Sequence, residues 1–287
     1  MMKNLSGRVA VVTGAGSGIG LALAQRFAQE GMKLVLADIE ESALASALDG
    51  LQQQGAIAIA LKTDVASEAQ VNALADAAYI KYGAVHLVCN NAGVAIPALR
   101  TRAWETSIAD WDWIHQVNFM GVLYGVRAFV PRMLAGGEEG HIVNTASMAG
   151  LLTGANPYFI SKHAVSCFTE GLYKDLKTMG AKVSASVLCP GLIRTAIMEA
   201  ERNRPAEFGP AVDVSTLPES VRTLALKFRE ALEAGFEPAQ VAADVLAAVQ
   251  NDQYYIFPAQ APILEMLDLR LHDILARRNP TVVAPAA

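Results

Sequence analysis

Two kinds of hydrophobic pattern alternate along most of the chain. Residues 8–13, 33–37, 57–61, 85–89, 141–146 and 182–188 are short runs rich in Val, Ile, Leu and Ala, apolar at nearly every position. Such runs predict strands buried on both faces, as in a parallel sheet. Between them, residues 18–30, 41–54, 67–82, 107–134 and 157–179 place apolar residues every three or four positions; Leu44, Leu48 and Leu51 are an example. That spacing predicts helices with one buried face. Regular strand–helix alternation implies right-handed crossovers and an α/β, doubly wound sheet with helices on both sides.

The regularity ends at Pro190. Residues 192–236 are rich in Pro and charge, with Arg202, Arg204, Pro205, Pro210 and Pro218 in an irregular first half and a helical period over 217–234. A connection this long inside a compact domain predicts a substrate-binding loop or lid. A helix over 238–250, a short strand over 254–257 and a helix over 262–278 follow. Residues 259–287 are expected to form a C-terminal extension ending in a frayed Pro/Ala-rich stretch. No compositional break divides the chain, so residues 1–287 are expected to form one domain.

Composition narrows the function classes. The chain has 287 residues, 53% of them hydrophobic, and a net charge of −5 with its 23 basic residues scattered. This counts against a nucleic-acid partner or a polybasic membrane contact. Cys89, Cys167 and Cys189 have no ligand-like spacing, so buried apolar roles are expected for all three, with no metal and no disulfide. Residues 1–7 lack the apolar core of a signal peptide, and no apolar run reaches the roughly 18–20 residues of a membrane span. A soluble cytoplasmic protein is expected.

The chemistry concentrates at Ser147, Tyr158 and Lys162. Tyr158 and Lys162 are four apart in a predicted helix and so share a face. A phenol has an ordinary pKa of about 10, and a neighbouring ammonium is expected to draw it towards the working range. Ser147 follows a predicted strand, where its hydroxyl could hold a carbonyl oxygen. This set suits proton transfer at an alcohol or ketone oxygen. His115, His141 and His163 are expected to be structural, because the Tyr–Lys pair already accounts for the proton.

A hydride partner is indicated by the turn after the first strand, Thr13-Gly14-Ala15-Gly16-Ser17-Gly18-Ile19-Gly20. Glycines let main-chain amides approach a pyrophosphate at a helix N-terminus. Asp38 sits just past the second predicted strand, about 20 residues beyond the turn, where a carboxylate accepts ribose hydroxyls and repels a 2′-phosphate. Neither Ser17 nor Ile39 offers a basic group to neutralise that phosphate, which favours NAD over NADP. The alternative for Asp38, the less favoured beside these glycines, is a solvated turn carboxylate or helix cap.

In order along the chain, Thr13-Gly-x-x-x-Gly18-x-Gly20, Asp64-Val65, Asn90-Asn-Ala-Gly93, Asn118, Ser147, Tyr158-x-x-x-Lys162 and Pro190-Gly-x-x-x-Thr195 resemble the short-chain dehydrogenase/reductase family. The resemblance implies a Rossmann-type seven-stranded parallel sheet of order 3-2-1-4-5-6-7. It implies that Gly14, Ser17, Gly18, Ile19 and Gly20 hold the pyrophosphate and Asp38 the ribose. Asp64 and Val65 would meet the adenine, Asn91, Ala92 and Gly93 the ribose, and Pro190, Gly191, Ile193 and Thr195 the nicotinamide end, while Asn90 braces the fold. Tyr158 would be the general acid/base, Lys162 would also bind the nicotinamide ribose, Ser147 would hold the substrate oxygen, and Asn118 would hold a water that relays the proton.

The implied function is NAD(H)-dependent interconversion of a secondary alcohol and a ketone. Residues 94–99, 148–152 and Phe159, facing Ile193, Ile197, Met198 and Phe208, predict an apolar or aromatic substrate. Short segments including Trp111-Asp-Trp113 and residues 199–205 are similar to members that oxidise aryl benzylic alcohols. Family members often pair their long helices, so a homodimer or homotetramer is expected. The competing reading is a non-catalytic NAD(H)-binding regulator on the same fold. A sugar-nucleotide epimerase would want a larger C-terminal lobe, and a methyltransferase would leave the residues after Asp64 unexplained.

Overall fold

The computed structural model describes residues 2–96, 102–210, 213–258 and 261–282 (main chain only at 214 and 261–263). Seven strands, β1 (Val9–Thr13), β2 (Lys33–Asp38), β3 (Ala58–Lys62), β4 (Leu87–Asn90), β5 (Gly140–Thr145), β6 (Val183–Leu188) and β7 (Tyr255–Ile256), form one parallel sheet. Its order is β3-β2-β1-β4-β5-β6-β7, as expected. The strand order reverses between β1 and β4, and the crevice beyond the strands' C-terminal ends at such a reversal is where open α/β sheets bind ligands.

Strand periodicity divides the core. Ala10, Val12, Leu34 and Leu36 point to one face, against α1 (Gly18–Gln29), α2 (Glu41–Gln53) and α8 (Pro238–Asn251). Val9, Val11, Val35 and Ala37 point to the other, covered by α3 (Glu68–Tyr82), α5 (Gly121–Gly136) and α6 (Pro157–Thr178). Each fully buried Val or Leu is worth about 1.5–3 kcal/mol, which explains why these strands tolerate no polar alternation.

The helix expected over 107–134 is continuous but not uniform. Ser107 caps α4 (Ile108–His115), a π-helical turn follows over Gln116–Met120, and α5 continues from Gly121. The π turn contains Asn118, and such bulges recur at functional sites because they re-aim side chains. Periodicity alone does not distinguish a five-residue insertion of this kind from regular helix. Helix α7 (Glu219–Glu233) and α9 (Ala261–Leu275) match the expected positions, whereas 197–203, 206–208 and 214–216 form short 3₁₀ turns within the predicted loop. That loop is closed at its base: Phe236 N donates to Leu192 O and Arg194 N to Phe236 O. The expected frayed end at 283–287 lies outside the described residues.

Buried amides brace the strand ends that carry the site. Asn90 Nδ2 donates to Asn144 Oδ1 at 2.8 Å, and Asn144 Nδ2 donates to Thr169 Oγ1 at 3.0 Å, linking β4, β5 and α6. Asn90 therefore supports the fold, as anticipated. Gly125 of α5 leaves room for this: a Cβ there would lie 2.0 Å from Asn90 Oδ1. Gly125→Ala should lower stability by about 1–3 kcal/mol despite alanine's better helix propensity, which denaturant unfolding measures.

One expectation fails. Cys89 and Cys189 are buried, but Cys167 is exposed, because it sits on the outward face of α6 between buried Val165, Ser166 and Thr169. His141 is buried against Ser186, and burial pushes its pKa down to about 4, in keeping with a structural role.

Candidate active site

Each catalytic candidate is placed by a strand end or a helix cap. Asn156 Oδ1 accepts Phe159 N at 3.1 Å and Pro157 occupies the first turn, so the start of α6 is set immediately before Tyr158. Lys162 follows one turn later and is buried. Ser147 lies two residues beyond β5, where its Oγ accepts Ala149 N at 3.1 Å and faces Pro190 O at 3.4 Å.

Tyr158 and Ser147 are hydrogen-bonded through their side chains. Lys162 Nζ donates to Thr145 O at 3.0 Å and lies 5.9 Å from the Tyr158 ring centroid. A Cβ on Gly93 would fall 3.2 Å from Lys162 Nζ and 3.3 Å from Asn118 Oδ1, so the three residues meet at one point.

The electrostatics differ from the sequence expectation in one respect. Burial raises the Tyr158 phenol above its ordinary pKa, and the Ser147 hydroxyl only partly opposes it. The expected lowering by Lys162 is therefore not what the ligand-free site holds. The lysine is aimed at a main-chain carbonyl rather than at the phenol, and burial brings its own pKa down to about 8. Desolvation dominates both groups because neither meets an opposite charge.

Around them lies a cavity of about 1050 Å³ extending from the glycine turn to residues 192–208. It is lined by Gly14, Ser17, Gly18, Ile19, Asp38, Asp64 and Val65 at one end. Asn91, Ala92, Gly93, Ser147, Tyr158, Lys162, Pro190, Gly191, Ile193 and Thr195 line the middle. Of the predicted catalytic and cofactor-binding residues, Gly20 and Asn118 do not line it, and of the predicted wall Ile96, Gly150 and Leu151 do not. Gly20 is needed for packing, since a Cβ would sit 2.0 Å from Gly14 O. Asn118 is wholly buried, its Oδ1 accepting Val94 N at 2.8 Å and its Nδ2 donating to Val94 O and Ser161 Oγ.

The turn fits a dinucleotide. Gly14 and Gly18 have φ of +66° and +54°, values that favour glycine, and a Cβ on Gly14 would press to 2.9 Å from Ala92 Cα. Asp38 serves the protein as well as any ligand, its Oδ2 accepting Gly16 N at 2.8 Å and its Oδ1 accepting Glu40 N at 3.0 Å. The turn-carboxylate reading therefore holds, the helix cap being Glu40, and each carboxylate oxygen keeps a second acceptor site.

Sequence reasoning missed several lining residues: Asp112, Trp113, Gln116, Asn203, Phe228 and Leu232. They come from α4, the π turn, the loop and α7, which only tertiary packing brings together. Arg202 is also near the Asp38 end, but its guanidinium pairs with Glu40, which Asn203 Nδ2 also reaches at 2.8 Å. Of the expected pocket wall, Val94–Ile96 are buried; positions 97–99 lie outside the described residues.

Residues 8–206 match the short chain dehydrogenase family. The chain belongs to the short-chain dehydrogenase/reductase family. A family member from Burkholderia phymatum, solved in complex with NAD, superposes with a TM-score of 0.92 at 44% identity, covering 99% of each chain. The 1-deoxy-11-beta-hydroxypentalenate dehydrogenase of Streptomyces avermitilis is 41% identical over 67% of this chain and 71% of its own length. The C alpha-dehydrogenase of a Sphingobium species is 34% identical over 90% of this chain and 82% of its own. The protein is accordingly an oxidoreductase of this family. Among the described residues no helix is long and apolar enough to cross a membrane.

Proposed function

We propose that the protein is an NAD(H)-dependent dehydrogenase that interconverts a secondary alcohol and its ketone, with an apolar or aromatic substrate. The observation that carries this is the convergence of Ser147, Tyr158 and Lys162 on the cavity whose other end is the glycine turn. Bound NAD supplies the hydride acceptor and a positive charge at its nicotinamide ring. As a phenolate Tyr158 takes the alcohol proton during oxidation, and as a phenol it returns that proton to the ketone oxygen during reduction. Ser147 donates to the substrate oxygen as charge develops there. Lys162 holds a positive charge beside Gly93 and binds the nicotinamide ribose, and Asn118 holds a water that links Lys162 to solvent and passes the proton outward. Trp113, Met148, Leu152, Phe159, Phe208 and Phe228 give the substrate end its apolar character.

Asp38 underlies the preference for NAD. A 2′-phosphate within about 4 Å of a carboxylate at a partly exposed site costs several kcal/mol, and Arg202 is already neutralised by Glu40. Asp38→Asn should narrow the NAD-over-NADP ratio of kcat/KM by about a hundredfold. An unchanged ratio would remove Asp38 from cofactor choice.

The same reading takes residues 1–287 as one unit, 192–236 as a substrate lid and the protein as a cytoplasmic homodimer or homotetramer. It also takes residues 259–287 as a C-terminal extension, whose helix α9 meets the turn after Ser147, Arg270 Nη1 donating to Leu151 O at 2.9 Å. The test is an NAD-coupled assay over aryl, alicyclic, polyol and hydroxyacyl secondary alcohols, with NADH fluorescence titration alongside. Turnover of aryl or alicyclic alcohols is expected. NADH binding with no turnover of any alcohol would overturn the dehydrogenase reading in favour of a regulator.

A further inference from the structure

Arg204 is a charged residue with its side chain only 4% exposed, in the middle of a loop. Each of its nitrogens has a protein acceptor. Nη2 donates to Asp110 Oδ1 at 2.7 Å and to Phe208 O at 2.9 Å, and Nε donates to Phe208 O at 3.2 Å. Nη1 lies 3.3 Å and 3.4 Å from the two Glu201 carboxylate oxygens. The guanidinium also stands 5.0 Å from the ring centroid of Trp113. Asp110 and Trp113 are three apart on α4 and so present one face to it.

These contacts have a direction. Asp110 and Trp113 belong to α4, whereas Glu201 and Phe208 belong to the loop after β6. Trp113, Pro205 and Phe208 all line the substrate end of the cavity. The loop is otherwise anchored at its base by the Leu192–Phe236 main-chain bonds and at Glu40 by Arg202 and Asn203. A planar, multidentate side chain stacked on an aromatic face fixes both distance and angle, which a lysine cannot do. With every nitrogen committed inside the protein, Arg204 is not a receptor for an anionic substrate.

We propose that Arg204 is a positioning residue that clamps the 197–208 segment to α4 and thereby sets the spacing between Trp113 and Phe208, two of the aromatic walls of the substrate pocket. It touches neither substrate nor cofactor and acts through those walls. The proposal rests on the dehydrogenase reading for its kinetic consequence but not for its structural one. A wall displaced by about 1 Å can cost on the order of a hundredfold in kcat/KM.

The test compares Arg204→Met, which keeps much of the volume, with Arg204→Lys and with Asp110→Asn. Measured are hydrogen exchange over 197–208, NADH titration, and KM and kcat for an aryl secondary alcohol. Arg204→Met should exchange faster across 197–208 and lose about a hundredfold in kcat/KM, carried mainly by KM. NADH affinity should stay within about twofold of wild type, and Arg204→Lys should recover only part of the loss. If Arg204→Met does not fold, Asp110→Asn carries the comparison with smaller changes in the same direction. Wild-type exchange over 197–208, or faster exchange with KM unchanged, or a loss confined to kcat, would each overturn the proposal. If the wild-type protein turns over no alcohol, the dehydrogenase reading fails, and exchange alone decides whether the clamp exists.

Discussion

Tyr158→Phe should reduce kcat by about a thousandfold, within the 10²–10⁴ range that a positioned general acid/base contributes. It should leave NADH binding within about twofold of wild type, because the hydroxyl is the only atom removed. The fold should tolerate the change. Ser147, the phenol's partner, keeps Ala149 N as a donor to it and Pro190 O as an acceptor from it. No buried polar atom is orphaned, so the stability change should stay within about 1 kcal/mol. Steady-state kinetics and fluorescence titration check this together. Turnover near wild type would show that the proton travels by another group.

Lys162→Met should separate activity from stability. Turnover should fall by at least about a hundredfold, since the ribose contact and the local positive charge are both lost. The ligand-free protein should nevertheless be as stable as wild type or more so. Burial brings the lysine from an ordinary 10.5 to about 8, so holding it charged at neutral pH costs ~3 kcal/mol. Removing it orphans Thr145 O, which costs about 1–3 kcal/mol, so the gain outweighs or equals the loss. The pH dependence has a definite sign. Between about 8 and 10.5 the unfolded chain binds more protons than the native one, so wild-type stability rises with pH across that window. Lys162→Met should lack that rise. Denaturant midpoints for both proteins at pH 7, 8.5 and 10 provide the measurement. Equal slopes would mean the lysine titrates normally in the native state.

What could be read from the chain and what could not divide along physical lines. Strands β1 to β6 were visible because two-sided burial writes itself as uninterrupted Val, Ile, Leu and Ala. Gly14, Gly18 and Asp38 were visible because positive φ and a strand-end carboxylate constrain residue type at short range. The environment of Lys162 was not visible. Its partner is a main-chain carbonyl, Thr145 O, and carbonyls leave no mark on composition. For the same reason the sequence suggested a lowered tyrosine pKa where desolvation raises it. Asn118 was placed at the site by family resemblance, yet its amide is consumed by Val94 and Ser161. Cys167 was assigned to the core on residue type alone, although its helical phase places it outward. The Arg204 cluster joins residues 94 positions apart, a separation that no local pattern encodes.

The glycine turn has a consequence for how such proteins diversify. Gly14, Gly20, Asn91 and Ala92 pack so closely that a single methyl group on Gly20 would collide with main chain. At this half of the crevice neither Gly14 nor Gly20 accepts a side chain unless neighbouring main chain shifts. The opposite rim is built by the side chains of a loop tied down at three places. A changed side chain there reshapes the mouth of the cavity without pressing on the main chain of the nucleotide seat, so the two ends answer to substitution differently.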